Sequence, residues 1–477
     1  MDSVAQIRVA LAAGHDGPAA AIAAAAARHR ETHPRLNALV QPRFAEAAAE
    51  AAAAVGPLAG VPVSIKECFP VAGMRTTLGI TGRRAAIDAA DASLVARLKA
   101  AGAVVVGKAN VPQAMFLHET DNPVWGRTNH PEDAARGPGG SSGGDAALVA
   151  AGVVPLALGN DLAGSLRQPA HACGIAAIMP RTSVLGEGGA CDTLPHLTAV
   201  RPRAGFLART VADLRAALVA VAPPLAAPPA RPLRVGWWED AGPLPASAAI
   251  RRAVREAVRR LEAAGGAVVP LDAGPAREAA WLMMAILSAD GGGDIRRLFA
   301  GERPIPGVER LLRLAAVPRG IRPLVAAAAR LCGRGIEADA LGRTGPRDAR
   351  GFAALLAARE AVRARFAAAT AGCDAIVCPV SAVPALRHGS AARLVLAAAA
   401  CLPANLLELA AGAVPVTRVR PDETRARGLS LDPVLRAAAA TDRGSSGLPV
   451  GVQVMGVPDA DEAVVLDVME AIEAGGA

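Results

Sequence analysis

Along this chain, helix-length stretches with one apolar face give way repeatedly to short, wholly apolar runs. From Ser93 to Ala101, Leu94 and Leu98 share a face; Gly102 stops the helix and Ala103 to Val106 reads as a buried strand. The same order recurs from Ala248 to Leu271. There Ile250, Val254, Val258 and Leu261 form the apolar face, Gly265-Gly266 the stop and Ala267 to Val269 the strand. It recurs from Glu360 to Cys378, with Gly372 as the stop and Ala375 to Val377 as the strand. Val61 to Ile65, Leu233 to Trp237 and Val450 to Val454 are further strand runs. Helices alternating with short apolar strands predict an α/β fold with a largely covered sheet.

Other stretches depart from this rhythm. Residues 1–54 read as alanine-rich helices, broken near Gly14 to Pro18 and around Pro34, and Gly56-Pro57 is a turn. Pro223 to Pro232 is proline-rich, but strand runs follow it, so it reads as a surface crossing inside one domain. The segment from about 290 to 335 is the least regular part. It mixes arginines with Leu298, Phe299, Leu311, Leu312, Leu314, Ile321 and Leu324. No fixed-period repeat is evident.

Composition narrows the function. The 477 residues are 52% hydrophobic, enough for a large core, though much of that is alanine. Aromatics are 2% and tyrosine is absent, which argues against base-stacking platforms and tyrosine catalysis. Of the formal +8 charge, most is local: between Arg296 and Arg334, nine arginines face only Glu302 and Glu309, an excess of seven. The rest is near neutral, so nucleic acid is not an expected partner. The basic, apolar stretch is a candidate cap over an acyl pocket and a candidate contact with anionic membranes, with a solvated helical insert as the alternative. The seven cysteines are scattered, odd in number and without a CxxC pair, as expected for free thiols in a reducing compartment. The N-terminus lacks a signal-peptide pattern, and the expected location is cytoplasmic.

Two serine-bearing stretches carry the candidate chemistry. They are Gly139-Gly140-Ser141-Ser142-Gly143-Gly144 and Gly159-Asn160-Asp161-Leu162-Ala163-Gly164-Ser165-Leu166-Arg167. Upstream, Lys66 ends the strand run at Val61 to Ile65. Lys66, Lys99 and Lys108 are the chain's three lysines among 51 basic residues. Arginine cannot shed its proton near neutral pH, whereas a buried lysine can, so Lys66 is a candidate base; a snorkelling surface lysine is the alternative. A neutral lysine could take the proton of Ser141 while Ser141 takes that of Ser165. Gly-rich turns beside serine supply backbone N–H groups for an oxyanion. The first loop also matches G-x-S-x-G, but a nucleophile elbow needs a preceding strand, and Asn129 to Arg136 is polar. The histidines show no zincin spacing, and no phosphate-binding glycine motif follows a strand.

These residues resemble the amidase signature family. The likeness runs through Gly139 to Ala170 and extends to Gly56–Lys66, Gly205–Leu214, Asp374–Pro379, Pro403–Leu406 and Gly447–Gln453, almost the whole chain. Lys66-Glu67-Cys68-Phe69, Asn110–Gln113, Asn122-Pro123 and Ser288–Gly292 are similar to its fatty acid amide hydrolase-like branch. The resemblance implies one amidase domain, a mixed sheet wrapped by helices. It would comprise a helical segment 1–54, a signature core 56–222, a variable cap 290–335 and a C-terminal part of the core 372–475. It implies a serine hydrolase of small-molecule carboxylic amides, acting through an acyl-enzyme without metal or organic cofactor. Ser165 would be the nucleophile, Ser141 the bridging serine on a cis peptide and Lys66 the base. The N–H groups of Leu162, Ala163, Gly164 and Ser165 would form the oxyanion hole. Met115, Phe116, Gly140 and Ser142 would meet substrate, and Asp161 and Arg167 would support the nucleophile turn.

The chain departs from the family's usual residues at several points. Asn160 stands for threonine, Ala163 for glycine, Ile178-Met179-Pro180-Arg181 for Leu-Lys-Pro-Thr, and His118 for an aromatic. At residue 163, a methyl group would strain a turn that needs positive φ. A weak or inactive scaffold and a glutaminase-type amidotransferase component remain alternative readings, and a homodimer is left open.

Overall fold

The computed structural model describes residues 3–12, 17–195, 197–222, 224–225 and 231–476. His196, the Gly14–Asp16 part of the expected N-terminal break and most of the Pro223–Pro232 crossing lie outside these residues.

Among the described residues, eleven strands form one sheet: β1 (Leu39–Pro42), β2 (Pro62–Lys66), β3 (Val104–Ala109), β4 (Leu156–Asp161), β5 (Ala176–Met179), β6 (Arg203–Ala208), β7 (Arg234–Trp237), β8 (Ala267–Pro270), β9 (Ala375–Pro379), β10 (Ala411–Arg418) and β11 (Pro449–Gly456). Their order is β1-β3-β2-β4-β6-β5-β10-β11-β9-β7-β8. The sheet is mixed. β3, β2 and β4 run parallel, as do β9, β7 and β8, and antiparallel pairs join these two groups.

Alternation along the strands builds a core on each face. Val63 and Ile65 of β2 pack with Leu156 and Leu158 of β4 and with Leu94 and Leu98 of the helix Ser93–Ala100. Val104, Val106 and Ala157 join the opposite core with Ala146 and Val149 of the helix Gly143–Ala150. The amphipathic helix Ala248–Ala263 buries Ile250, Val254, Val258 and Leu261, as its periodicity predicts. The parallel crossovers from β2 to β3 and from β3 to β4 each carry a helix. This brings the carboxyl ends of β2 and β4 side by side, where open α/β sheets place ligands.

Three local expectations change. β1 lies within the segment expected to be helical, because Leu39 pairs with Ala109 and is fully buried. The helix Pro18–Leu36 runs through Pro34. Pro34 sits in its last turn, after which the Asn37 N–H still donates to the His33 carbonyl at 2.8 Å. The irregular stretch forms helices Gly293–Phe299, Pro306–Ala316, Arg322–Leu331 and Gly335–Arg343. Arg322 is buried there and donates to the carbonyls of Leu314, Ala315, Val317 and Leu341, groups a helix end otherwise leaves unpaired.

Candidate active site

Lys66 ends β2 and is fully buried. Its Nζ lies 2.8 Å from Ser141 Oγ, 2.6 Å from Asn160 Oδ1 and 3.2 Å from the Asn160 carbonyl oxygen. Burial is the largest influence on this amine and pushes its pKa below the ordinary lysine value, against Cys68, Asp145 and Asp161. The three contacts suit a neutral amine. Its two N–H groups can donate to the Asn160 oxygens, and its lone pair can accept the Ser141 hydroxyl proton.

Ser141 follows a cis Gly140–Ser141 peptide at the entry to the helix Gly143–Ala150. The loop is pinned by protein groups. The Gly140 N–H donates to Gln168 Oε1 at 3.1 Å, and the Ser142 N–H to the Ser165 carbonyl at 3.1 Å. Ser142 Oγ donates to the Asn160 carbonyl at 3.4 Å. Gly159 makes this approach feasible, since a Cβ there would stand 2.8 Å from Ser142 Oγ. Gly140 and Ser142, expected to meet substrate, are buried and hold the loop.

Ser165 stands between β4 and the helix Arg167–Cys173. Asp161 organises this turn. Its carboxylate accepts from the N–H groups of Gly164 (2.7 Å) and Leu166 (3.1 Å), from Arg167 Nε (3.0 Å) and Nη2 (2.9 Å), and from Asn405 Nδ2 (3.1 Å). Burial alone would raise the Asp161 pKa, but Arg167 and the backbone donors outweigh it and hold it well below the usual range. Arg167 also donates to Asn405 Oδ1 at 2.7 Å, to the Cys401 carbonyl at 2.9 Å and to Gln453 Oε1.

This network corrects two expectations for the oxyanion hole. The Gly164 N–H is committed to Asp161, which leaves those of Leu162, Ala163 and Ser165 without acceptors among the described residues. The left-handed position is Gly164, with φ +100°, not Ala163. A Cβ at Gly164 would lie 3.0 Å from Cys401 Cβ, whereas the Ala163 methyl needs no strained backbone. Met179 has a local reason too. Its buried Sδ accepts from Asn405 Nδ2 at 3.3 Å and from Arg167 Nη2 at 3.8 Å, where lysine would add a like charge. His118 is half-buried, and desolvation lowers its imidazole pKa to about 4, so it is neutral at physiological pH.

Ser141 and Ser165 line one cavity of about 430 Å³, mouth included. Among the described residues no hydrogen bond joins their Oγ atoms. Met115 lines the cavity; Phe116 does not. The opposite wall is a segment that sequence reasoning missed: Cys191 to Leu194, Leu197, Val200 and Pro202. Arg201 holds this wall, reaching Glu187 (2.9 Å) and Asp192 (2.7 Å). No residue of 290–335 lines the cavity. That segment docks nearby instead, through Glu302 on the Thr81 and Gly82 N–H groups and the Ile305 N–H on Gln113 Oε1.

Lys66 at the carboxyl end of β2, Ser141 at the entry to the helix Gly143–Ala150 and Ser165 just after β4 thus come together at one site. Residues 20–465 match the amidase family model. The chain is 33% identical to fatty-acid amide hydrolase 1 of Sus scrofa over 431 residues, covering 85% of this chain and 74% of that protein. It is 34% identical to amidase 1 of Gibberella moniliformis over 323 residues, covering 61% of this chain and 62% of that protein. A solved fatty acid amide hydrolase superposes with TM-score 0.83 over 99% of this chain and 84% of that one; at 20% identity this likeness speaks for the fold. The chain belongs to the amidase signature family. It is an amide-cleaving hydrolase.

Proposed function

We propose that the chain hydrolyses small carboxylic amides through an acyl-enzyme on Ser165. The observation that carries this reading is the 2.8 Å contact between buried Lys66 Nζ and Ser141 Oγ, beside a cavity that Ser165 also lines. Ser165 Oγ attacks the amide carbonyl and gives its proton to Ser141, whose own proton passes to Lys66. The oxyanion is met by the N–H groups of Leu162, Ala163 and Ser165. The C–N bond breaks as the leaving nitrogen takes a proton from Ser141, which is resupplied by Lys66. Water then attacks the ester through the same relay, releasing acid and free Ser165. The acyl side is bounded by Met115, Leu162, Leu194, Leu197 and Val200, which suits an apolar acyl group of modest size.

Fluorophosphonate labelling tests the roles. Wild type should label; Ser165→Ala and Lys66→Ala should not. Full turnover by Ser165→Ala would end this mechanism. The amidotransferase reading predicts that the lone chain is inactive until partner chains are added.

A second reading concerns the helices of 293–343. Ile321 (48% exposed), Leu324 (73%) and Leu331 (90%) project from them, and Leu431 (85%) adjoins Gly333. This exposure favours peripheral contact with an anionic membrane surface. Asp294, Glu337 and Asp339 pair with Arg297, Arg310, Arg334 and Arg330, so the positive field is weaker than the arginine count implies. No described helix is long and apolar enough to cross a membrane. Sedimentation with anionic and neutral vesicles at low salt tests the contact; equal binding to both, or to neither, removes it.

A further inference from the structure

Met115 reaches the cavity from a strained turn. Ala114 (φ 55°, ψ 18°) and Met115 (φ 54°) are consecutive left-handed residues, and both carry a Cβ that disfavours this backbone. Such a turn persists only where its surroundings hold it. The main chain supplies part of the hold. The Ala114 N–H donates to the Leu78 carbonyl at 2.8 Å, and the Gln113 N–H to the Asp121 carbonyl at 3.1 Å. Leu78 is itself left-handed, with φ 55°. Its N–H and that of Thr77 donate to the Glu67 carboxylate at 2.8 and 2.6 Å. Glu67 is fully buried and follows Lys66, so this side of the turn is fixed to the end of β2.

The other side is fastened by the segment 302–305, which leads into the helix Pro306–Ala316. Gln113 is fully buried, and its Oε1 accepts from the Ile305 N–H at 2.8 Å. Glu302 accepts from the Thr81 and Gly82 N–H groups at 3.1 and 3.0 Å, just beyond Leu78. The segment therefore bridges the two loops that meet at the hydrogen bond between Ala114 and Leu78. Gln113 Nε2 is buried and has no partner among the described residues. A half-paired buried amide is costly, and here its paired half is spent on Ile305. Reversing the amide would set its NH₂ against the Ile305 N–H, so that bond fixes its orientation.

We infer that Gln113 is a positioning residue that sets the acyl length the cavity accepts: it ties 302–305 to the left-handed turn and keeps Met115 in the wall. The inference rests on the reading that this cavity receives the acyl group of the amide. Without the tie, Ala114 and Met115 return toward the backbone regions that residues with a Cβ prefer. A change of φ from positive to negative re-aims the Met115 side chain and takes it out of the wall. The cavity then lengthens on that side. This gives the segment 302–305 a part in substrate choice, although no residue of 290–335 lines the cavity.

The test measures kcat and KM for acetyl and octanoyl anilides with wild type, Gln113→Met, Glu302→Ala and the double variant Gln113→Met/Ala114→Gly. Methionine keeps the length of glutamine and removes the acceptor. In Gln113→Met the octanoyl-to-acetyl ratio of kcat/KM should rise at least about fivefold, chiefly through a lower KM for the octanoyl anilide, since one methylene in an apolar pocket is worth about tenfold or more. Glu302→Ala should shift the ratio the same way by less. Glycine adopts the left-handed backbone freely, so the double variant should return to the wild-type ratio. A merely structural role would lower both rates together and leave the ratio alone. An unmoved or lower ratio in Gln113→Met overturns the inference, as does a raised ratio that Ala114→Gly fails to restore. Glu302→Ala decides alone if Gln113→Met does not fold. Fluorophosphonate labelling separates the two claims: turnover of both anilides by a wild type that does not label at Ser165 ends the acyl-enzyme reading and leaves the ratio to judge Gln113.

Discussion

Asp161→Asn probes the support beneath Ser165, the proposed nucleophile. The substitution preserves shape and removes charge. Five donors converge on the wild-type carboxylate: two backbone N–H groups, two from Arg167 and one from Asn405. An asparagine oxygen can keep the Gly164 N–H, but its NH₂ group then opposes the donors of Leu166 and Arg167. The fully buried guanidinium also loses its counter-ion. Breaking a buried pair from one side costs about 3–5 kcal/mol. The loss should reach activity as well, because the same carboxylate sets the turn carrying Ser165; a misplacement of about 1 Å can cost about 10²-fold in rate. The assay is thermal unfolding across pH together with initial rates on an anilide. Asp161 has a depressed pKa in the folded state. Its stabilising effect is therefore present above the unfolded carboxyl value of about 3.9 and is lost as pH falls through the folded value. The gap between wild type and variant should be wide and constant from pH 6 to 8 and narrow only below about pH 4. A variant with near-wild-type stability and rate at pH 7 would refute this account of the network.

Lys66→Arg should be as inactive as Lys66→Ala, since arginine cannot accept the Ser141 proton. In wild type, kcat/KM should rise with pH through an apparent pKa below the ordinary lysine value of about 10.4, because burial favours the neutral amine; a limb at or above that value would show Lys66 to be an ordinary cation. Ala163→Gly should fold normally and keep activity within a few-fold, because residue 163 needs no left-handed backbone; a large loss of kcat would show that the methyl shapes the hole. Leu197→Ala, which enlarges the cavity wall, should raise the kcat/KM ratio of longer to shorter acyl anilides; an unchanged ratio would remove Leu197 from acyl selection.

Much of this architecture is legible in the sequence. The helix Ala248–Ala263 announces itself because its apolar residues face a sheet on one side and water on the other. The two serine loops and Lys66 are legible because glycine-rich turns and a rare lysine are local signals. The closing motifs are visible as patterns, but only the fold explains Asn405 and Gln453, which travel over 230 residues of sequence to reach Arg167. β1 hides among alanines because its strand character comes from pairing with β3 rather than from its own residues. The wall from Cys191 to Pro202 carries no periodicity, so nothing local ties it to the cavity. The commitment of the Gly164 N–H to Asp161 is equally silent, since backbone hydrogen bonding in a turn depends on its folded geometry.

The central claim is an acyl group carried by Ser165. Acid quenching of a slow amide during turnover, followed by digestion and mass spectrometry, tests it directly. The account predicts the acyl mass on the peptide containing Ser165, and its absence in Ser165→Ala. An acyl adduct on Ser141 or Cys191, or undiminished turnover in Ser165→Ala, would contradict it.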